Sequence, residues 1–119
     1  MKVLKTTMEI SKSDYERFME EVLSTAERLK SGEFMAFNFY HLDEFYAEFE
    51  DGYQFKLMFF ADIEFSMLVI APFLVNSDYE EVEEGYLYAV NLPSSTPNEP
   101  DTYEFKHQGR EYQVEVLIK

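Results

Sequence analysis

The sequence predicts an α+β fold: an N-terminal strand and one long helix packed on a curved antiparallel β-meander sheet. Three observations carry that expectation. Residues 13–30 repeat apolar side chains at three- and four-residue spacing. Most of the remaining chain alternates, or runs apolar, over strand-length stretches. Short breaks bearing Gly, Asn or Pro separate those stretches. With 119 residues, the chain reads as a single domain, 1–119.

Lys2 to Ile10 alternates, with Leu4, Met8 and Ile10 on one side, and reads as the first strand. Ser13 and Glu16 then form a capping box: the hydroxyl takes an orphan amide and the carboxylate reaches back. Tyr15, Phe18, Met19, Val22, Leu23, Ala26 and Leu29 line one helical face. Lys30 suits the last turn and Gly32 the left-handed cap. A helix of about 18 residues spans about 27 Å, enough to cover one face of a sheet.

Phe34 to His41 is apolar on both alternating sets, which predicts a strand covered on both faces, followed by a turn at His41-Leu42. Asp43 to Phe49 and Tyr53 to Phe60 form a hairpin around Glu50-Asp51-Gly52, with Gly52 in the left-handed place. That register pairs Phe49 with Tyr53, Ala47 with Phe55 and Phe45 with Leu57 on one face. Glu48 then meets Gln54, and Tyr46 meets Lys56, on the other. The counter-reading is a short helix, since Leu42, Phe45, Tyr46 and Phe49 also fit helical spacing.

Ile63 to Val75 is the most apolar run and reads as a central strand, with Pro72 at a bulge or at its end. Asn76-Ser77-Asp78 caps one helical turn, Tyr79 to Glu84, closed by Gly85. Tyr86 to Leu92 is a further strand, and 93–100, with Pro93, Pro97 and Pro100, a mobile loop. The last hairpin joins Thr102–His107 to Arg110–Ile118 through Gln108-Gly109. It sets Phe105 against Tyr112 and Tyr103 against Val114 inside, and Lys106 against Glu111 outside. The sheet face away from the helix carries Phe34, Tyr40, Phe60, Leu68 and Ile70. Either the segment near 76–100 or a second copy of the chain must cover it, and a homodimer is the expectation.

The charge is unevenly placed. The chain holds 24 Asp plus Glu against 10 Lys plus Arg, net −14. Residues 1–32 carry six acids and six bases, and 102–119 three and three. Residues 33–101 carry 15 acids and one base, Lys56, and so hold the whole −14. Such a surface repels phosphate backbones and anionic lipid, which excludes direct nucleic-acid or membrane binding. With no Cys there is no disulfide, thiolate metal site or Cys nucleophile. No apolar run is long enough for a membrane helix, and Lys5 and Glu9 in the first strand do not fit a signal peptide. The cytoplasm is the default location.

No pattern announces a reaction. The four glycines are expected at turns, which leaves none for a phosphate-cradling loop. His41 and His107 are isolated and read as strand-end residues, although His41 with Asp43 could exchange a proton. The acids between Asn76 and Glu84 could offer oxygens to calcium, but the central Gly and terminal Glu of a calcium loop are missing, so a solvated turn is the plainer reading. No cofactor or metal is called for. Eleven aromatics lie between Phe34 and Phe60, and most belong to the core. The phenols of Tyr40, Tyr46, Tyr79, Tyr86 and Tyr88 suit a recognition surface better.

Glu44, Tyr46, Glu48 and Glu50 alternate along one strand, about 6.6 Å apart. Asp62 and Glu64 extend that density, and Glu80, Glu81, Glu83 and Glu84 form a second cluster. A compact domain of this length is about 35 Å across. Duplex DNA of the same length carries about 20 charges, comparable with this segment. The sequence therefore points to a small non-enzymatic binding protein whose acidic face occupies a basic surface of a partner protein. The concrete versions are a nucleic-acid mimic that inhibits a nucleic-acid-processing or defence enzyme, and an immunity-type protein. Glu44, Glu48, Glu50, Asp51, Asp62, Glu64, Glu80, Glu81, Glu83 and Glu84 would carry the charge, with Tyr46, Tyr53 and Tyr79 as anchors. Two plainer readings of the acid are solubility and adaptation to salt. The runner-up function is a small-ligand or enzymatic site in a cavity between helix and curved sheet, using His41, His107 and a buried carboxylate.

Overall fold

The computed structural model describes residues 2–30, 39–92 and 102–119. The expected Phe34–Asn38 stretch, the Gly32 cap and the proline-rich 93–100 loop lie outside these residues. Strand β1 (Lys2–Ile10) buries Leu4, Met8 and Ile10 and leads directly into helix α1 (Lys12–Lys30). The cap is Ser11, not the expected Ser13: the Ser11 hydroxyl accepts the Asp14 amide at 3.0 Å and the Ser11 carbonyl the Tyr15 amide at 3.1 Å. The helix starts earlier because the strand ends at Ile10 and leaves only one residue for the turn. Tyr15, Phe18, Val22 and Ala26 form its buried stripe.

Strands β2 (Phe39–Glu48), β3 (Gln54–Asp62), β4 (Met67–Val75) and β5 (Glu81–Glu84) form an antiparallel sheet in that order, and β6 (Tyr88–Asn91) also pairs with β4. The β2–β3 register is the one the hairpin turn dictates: Phe45 faces Leu57, Tyr46 faces Lys56, Ala47 faces Phe55 and Glu48 faces Gln54. Phe49 and Tyr53 close the turn by a 2.8 Å backbone bond, with Gly52 at φ 91°. The strand reading therefore prevails over the helical one.

A second sheet has the order β1-β8-β7, from β7 (Thr102–His107) and β8 (Arg110–Ile118). Phe105 faces Tyr112 and Tyr103 faces Val114, as expected, across a turn in which Gln108 and Gly109 both have positive φ. β1 pairs with β8 in parallel, from Lys2 opposite Arg110 to Ile10 opposite Ile118. The strands therefore form two sheets rather than one meander. The parallel pair is closed by the two ends of the described chain.

Four local expectations are corrected. β2 runs straight through His41-Leu42, where the expected turn is only a register shift between His41 and Asp43. The long central strand begins at Met67, because residues 63–66 form a turn with Ser66 at φ 52°. The helical turn at Tyr79–Glu84 does not form. Asn76 Oδ1 accepts the amides of Asp78 and Glu80 at 3.0 Å each, which makes a tight turn that delivers Glu81–Glu84 to the β4 edge as a strand. The strand expected from Tyr86 to Leu92 shortens to Tyr88–Asn91. Pro72 explains part of this. It lies between the β5 and β6 pairings on β4, where its missing N–H breaks the ladder, and its carbonyl accepts the Gly85 amide at 2.9 Å. Gly85 holds no left-handed turn conformation. It is needed for close approach, since a Cβ there would meet Pro72 Cγ at 2.9 Å.

The inner face of the five-stranded sheet is divided lengthwise. At one end, Phe59 packs on Tyr15, Phe18 and Phe45 beneath the helix. At the other, Phe55 packs on Tyr103 and Phe105, and Phe49 on Tyr112, beneath the three-stranded sheet. Leu68 and Ile70, expected on the uncovered face, belong to this core. With its two covers side by side the molecule extends over 53 × 29 × 18 Å, longer and flatter than a sphere of its mass. No helix among the described residues is long and apolar enough to cross a membrane.

Candidate partner-binding face

The pleat decides which acids meet. In β2, Phe45 and Ala47 turn inward, so Glu44, Tyr46 and Glu48 turn outward, away from the helix. In β3 the outward set is Gln54, Lys56, Met58 and Phe60, and in β4 it includes Val69, Ala71 and Phe73. Glu84 lies opposite Phe73 in β5, and Glu81 opposite Val75. β2 and β5 are three strand spacings apart, about 14 Å. The two acidic clusters of the sequence thus send members to the same face from opposite sides.

Lys56 joins them. Its ammonium lies 3.4 Å from Glu44 and 3.1 Å from Glu81, and 6.0 Å from the ring centres of both Tyr46 and Phe73. Its side chain is only 15% exposed. Burial pulls the lysine pKa down, but the Glu81 hydrogen bond and the neighbouring Tyr46, Glu81 and Glu44 outweigh it, so the pKa stands above the ordinary lysine value. Lys56 therefore holds the carboxylates of Glu44 and Glu81 in place. Phe60 stacks on Phe39 at 4.8 Å and meets His41 edge-on at 5.6 Å. Together with Met58 and Phe73 it forms a half-buried apolar floor.

The other acids and tyrosines singled out in the sequence are distributed as follows. Glu50 is exposed at the β2–β3 turn. The β4–β5 turn lies beside it, because a Cβ on Gly52 would come 4.0 Å from Ser77 Cβ. That second turn presents Tyr79, 72% exposed with φ 63°, and Glu80, whose carboxylate accepts from Asn76 Nδ2 at 3.4 Å. Asp62 accepts the Phe65 amide at 3.3 Å in the β3–β4 turn, and exposed Glu64 follows. Glu83 points inward to His107 Nδ1 at 3.2 Å and links β5 to β7.

Asp51 and Tyr53 are engaged inside the molecule. Asp51 Oδ2 accepts from Arg110 and from the Tyr112 hydroxyl, each at 2.7 Å. Tyr53 stacks on Tyr112 at 5.4 Å, beneath the Arg110 guanidinium at 5.0 Å. Burial first, and then the Asp51 hydrogen bond and charge, push the Tyr112 phenol well above its ordinary pKa, with Arg110 in opposition. These residues join the β2–β3 turn to the β7–β8 hairpin, which leaves the outer face to Glu44, Tyr46, Glu48, Glu81 and Glu84.

The sequence reading placed Phe60 on the face away from the helix, but missed that Phe39, Met58 and Phe73 join it in an apolar floor, and missed the central place of Lys56. The signal was available in the hairpin register, which already set Lys56 beside Tyr46. His41 lies 3.9 Å from Glu44 on the outer face, whereas His107 meets Glu83 on the inner side, so the two histidines do not converge. The helix–sheet interface is filled, with Phe18 and Val22 fully buried and Tyr15 and Phe59 1% exposed. No family model matches this chain, and no curated protein or solved structure matches it.

Proposed function

We propose that this chain is a small non-enzymatic binding protein that lays the outer face of its five-stranded sheet on a basic surface of a partner protein. A nucleic-acid-processing or defence enzyme and a basic toxin are partners of the right chemistry. The observation that carries the reading is the convergence of Glu44 and Glu81, from strands on opposite sides of the sheet, on the single Lys56. Glu48 and Glu84 share that face, so four carboxylates against one ammonium leave three negative charges over an apolar floor. Charge of this kind steers a cationic partner, while half-buried aromatics supply contact area once the two surfaces meet. Carboxylates already fixed by Lys56 lose little freedom on binding.

A second copy of the chain fits this face poorly, because it would press Glu44, Glu48, Glu81 and Glu84 of two protomers together. The ligand-pocket reading has less support, since aromatic side chains fill the space between helix and sheet and the histidines are apart.

The test is affinity capture from the native lysate at about 50 mM and about 500 mM salt, where screening lengths differ more than threefold. The wild-type chain is expected to retain a basic protein at low salt and release much of it at high salt. A variant carrying Glu44→Gln, Glu48→Gln, Glu81→Gln and Glu84→Gln is expected to lose it. Equal capture by wild type and variant would refute the assignment of this face.

A further inference from the structure

The sheet that carries the outer face has one long open edge. Among the described residues, β2 is hydrogen-bonded to β3 alone and runs for 10 residues, whereas the opposite edge is shared by β5 and β6 at 4 residues each. β2 is also exposed on both faces of its pleat, through Phe39 and Tyr46 on one and Tyr40 on the other.

The register fixes which backbone groups point to that edge. The Phe49 amide donates to the Tyr53 carbonyl at 2.8 Å, so these two residues are a hydrogen-bonded pair. Residues directly opposed in an antiparallel ladder alternate between bonded and non-bonded pairs. Ala47 with Phe55 and Phe45 with Leu57 are therefore bonded pairs, whereas Glu48 with Gln54, Tyr46 with Lys56 and Glu44 with Met58 are not. The N–H and C=O groups of Glu44, Tyr46 and Glu48 thus turn away from β3, towards the open side. The Glu44 amide shows this directly, since it donates to Asp43 Oδ1 at 2.8 Å. Among the described residues, the amides of Tyr46 and Glu48 and the carbonyls of all three bond to nothing.

We propose that this edge receives an extended segment of the basic partner as an added strand, antiparallel to β2, with basic side chains opposite Glu44 and Glu48 and an aromatic one opposite Tyr46. The inference rests on the reading of the chain as a binder of basic proteins, and it adds the conformation and residue pattern that are recognised. The same three residues turn their side chains to the outer face and their backbone groups to the edge, so face and edge form one contact. In strand addition the main-chain hydrogen bonds supply affinity and alternate side chains supply specificity. Opposite charges facing across neighbouring strands stabilise the pair, and like charges destabilise it. That rule disfavours a second copy of the chain, because β2 paired with its own copy about Tyr46 would set Glu44 of each against Glu48 of the other.

The probe is the capped peptide Thr-Arg-Val-Tyr-Val-Arg-Thr, titrated into the full ¹⁵N-labelled chain. The Tyr46 and Glu48 amides are expected to shift, to saturate and, in the bound state, to exchange with solvent deuterium at least about tenfold more slowly. Two N-methylated analogues of the same charge separate backbone pairing from attraction. Methyl groups on the Arg and Tyr nitrogens, which would face β2, should weaken binding at least about tenfold. Methyl groups on the two Val nitrogens, which would face away, should change it by less than about threefold. Equal binding of the two analogues, or shifts at Lys56 and Phe73 without slowed exchange at Tyr46 and Glu48, would overturn the inference and leave the wider reading standing. The absence of saturable shifts along β2 would overturn it as well. Equal affinity for a peptide with Gln in place of both Arg would do the reverse, refuting a basic partner while the edge still pairs.

Discussion

Phe59→Ala is expected to remove about 3–5 kcal/mol of stability, the usual cost of deleting a buried phenylalanine. The side chain is 1% exposed and touches three other aromatics, with ring centres 4.8 Å from Phe18, 5.8 Å from Phe45 and 6.4 Å from Tyr15. Three elements meet at this ring: the helix, β2 and its own strand. Their backbones cannot collapse on the void without breaking sheet register, so most of the cavity remains. Total stability in small domains is about 5–15 kcal/mol, so the loss is a large fraction of the whole. Urea unfolding should show a lower midpoint at unchanged slope. Phe60→Ala, one residue on but facing outward, is the control. Phe60 is half-buried and packs mainly on Phe39 and His41, so its loss should cost less than half as much.

Asp51→Ala is expected to cost about 3 kcal/mol, because two partners lose their acceptor at once and each deserted group costs about 1–3 kcal/mol when buried. Tyr112 is fully buried, and the Arg110 side chain is 29% exposed, so the hydroxyl bears more of the loss than the guanidinium. Asp51→Asn keeps the shape without the charge and should fall between the two. Tyr112→Phe should make the Asp51 change less costly, and a double-mutant cycle measures that coupling. The phenol also sets a pH dependence. Its folded-state pKa is raised above the ordinary value of about 10. The folded chain therefore holds this proton more tightly than the unfolded one. The stability this provides is complete below pH about 10 and is lost as pH rises further. The raised pKa of Lys56 acts in the same sense. Tyr112→Phe should thus flatten the alkaline loss of stability measured by urea unfolding between pH about 9 and about 11.

What the sequence made legible were the elements whose cause is local. The helix follows from the spacing of Tyr15, Phe18, Val22 and Ala26. Both hairpin registers follow from turn length, which is why Tyr46 opposite Lys56 and Phe105 opposite Tyr112 could be read in advance. The parallel pairing of β1 with β8 joins residues more than 100 positions apart, and nothing in either strand's own pattern names the other. Glu81–Glu84 was opaque for another reason. Four residues with three acids have weak strand preference, and Asn76 suits a helix cap as well as the turn it makes. The β4 edge and the burial of Val82 decide in favour of the strand. In the candidate site, period-two alternation placed Glu44, Tyr46 and Glu48 on one face. Bringing Glu81 to Lys56 required the order of the strands, and withdrawing Asp51 required Arg110, 59 residues away.

The most direct measurement of the central claim is the affinity of the captured basic partner for this chain as a function of salt. It should be measured for the wild type and for the variant with Gln at 44, 48, 81 and 84. The wild type is predicted to weaken steeply as salt rises, and the variant to bind weakly with a much flatter dependence, because the charges that salt screens are the ones removed. Equal affinity and equal slope for the two proteins would contradict the account and place the interaction elsewhere on the molecule.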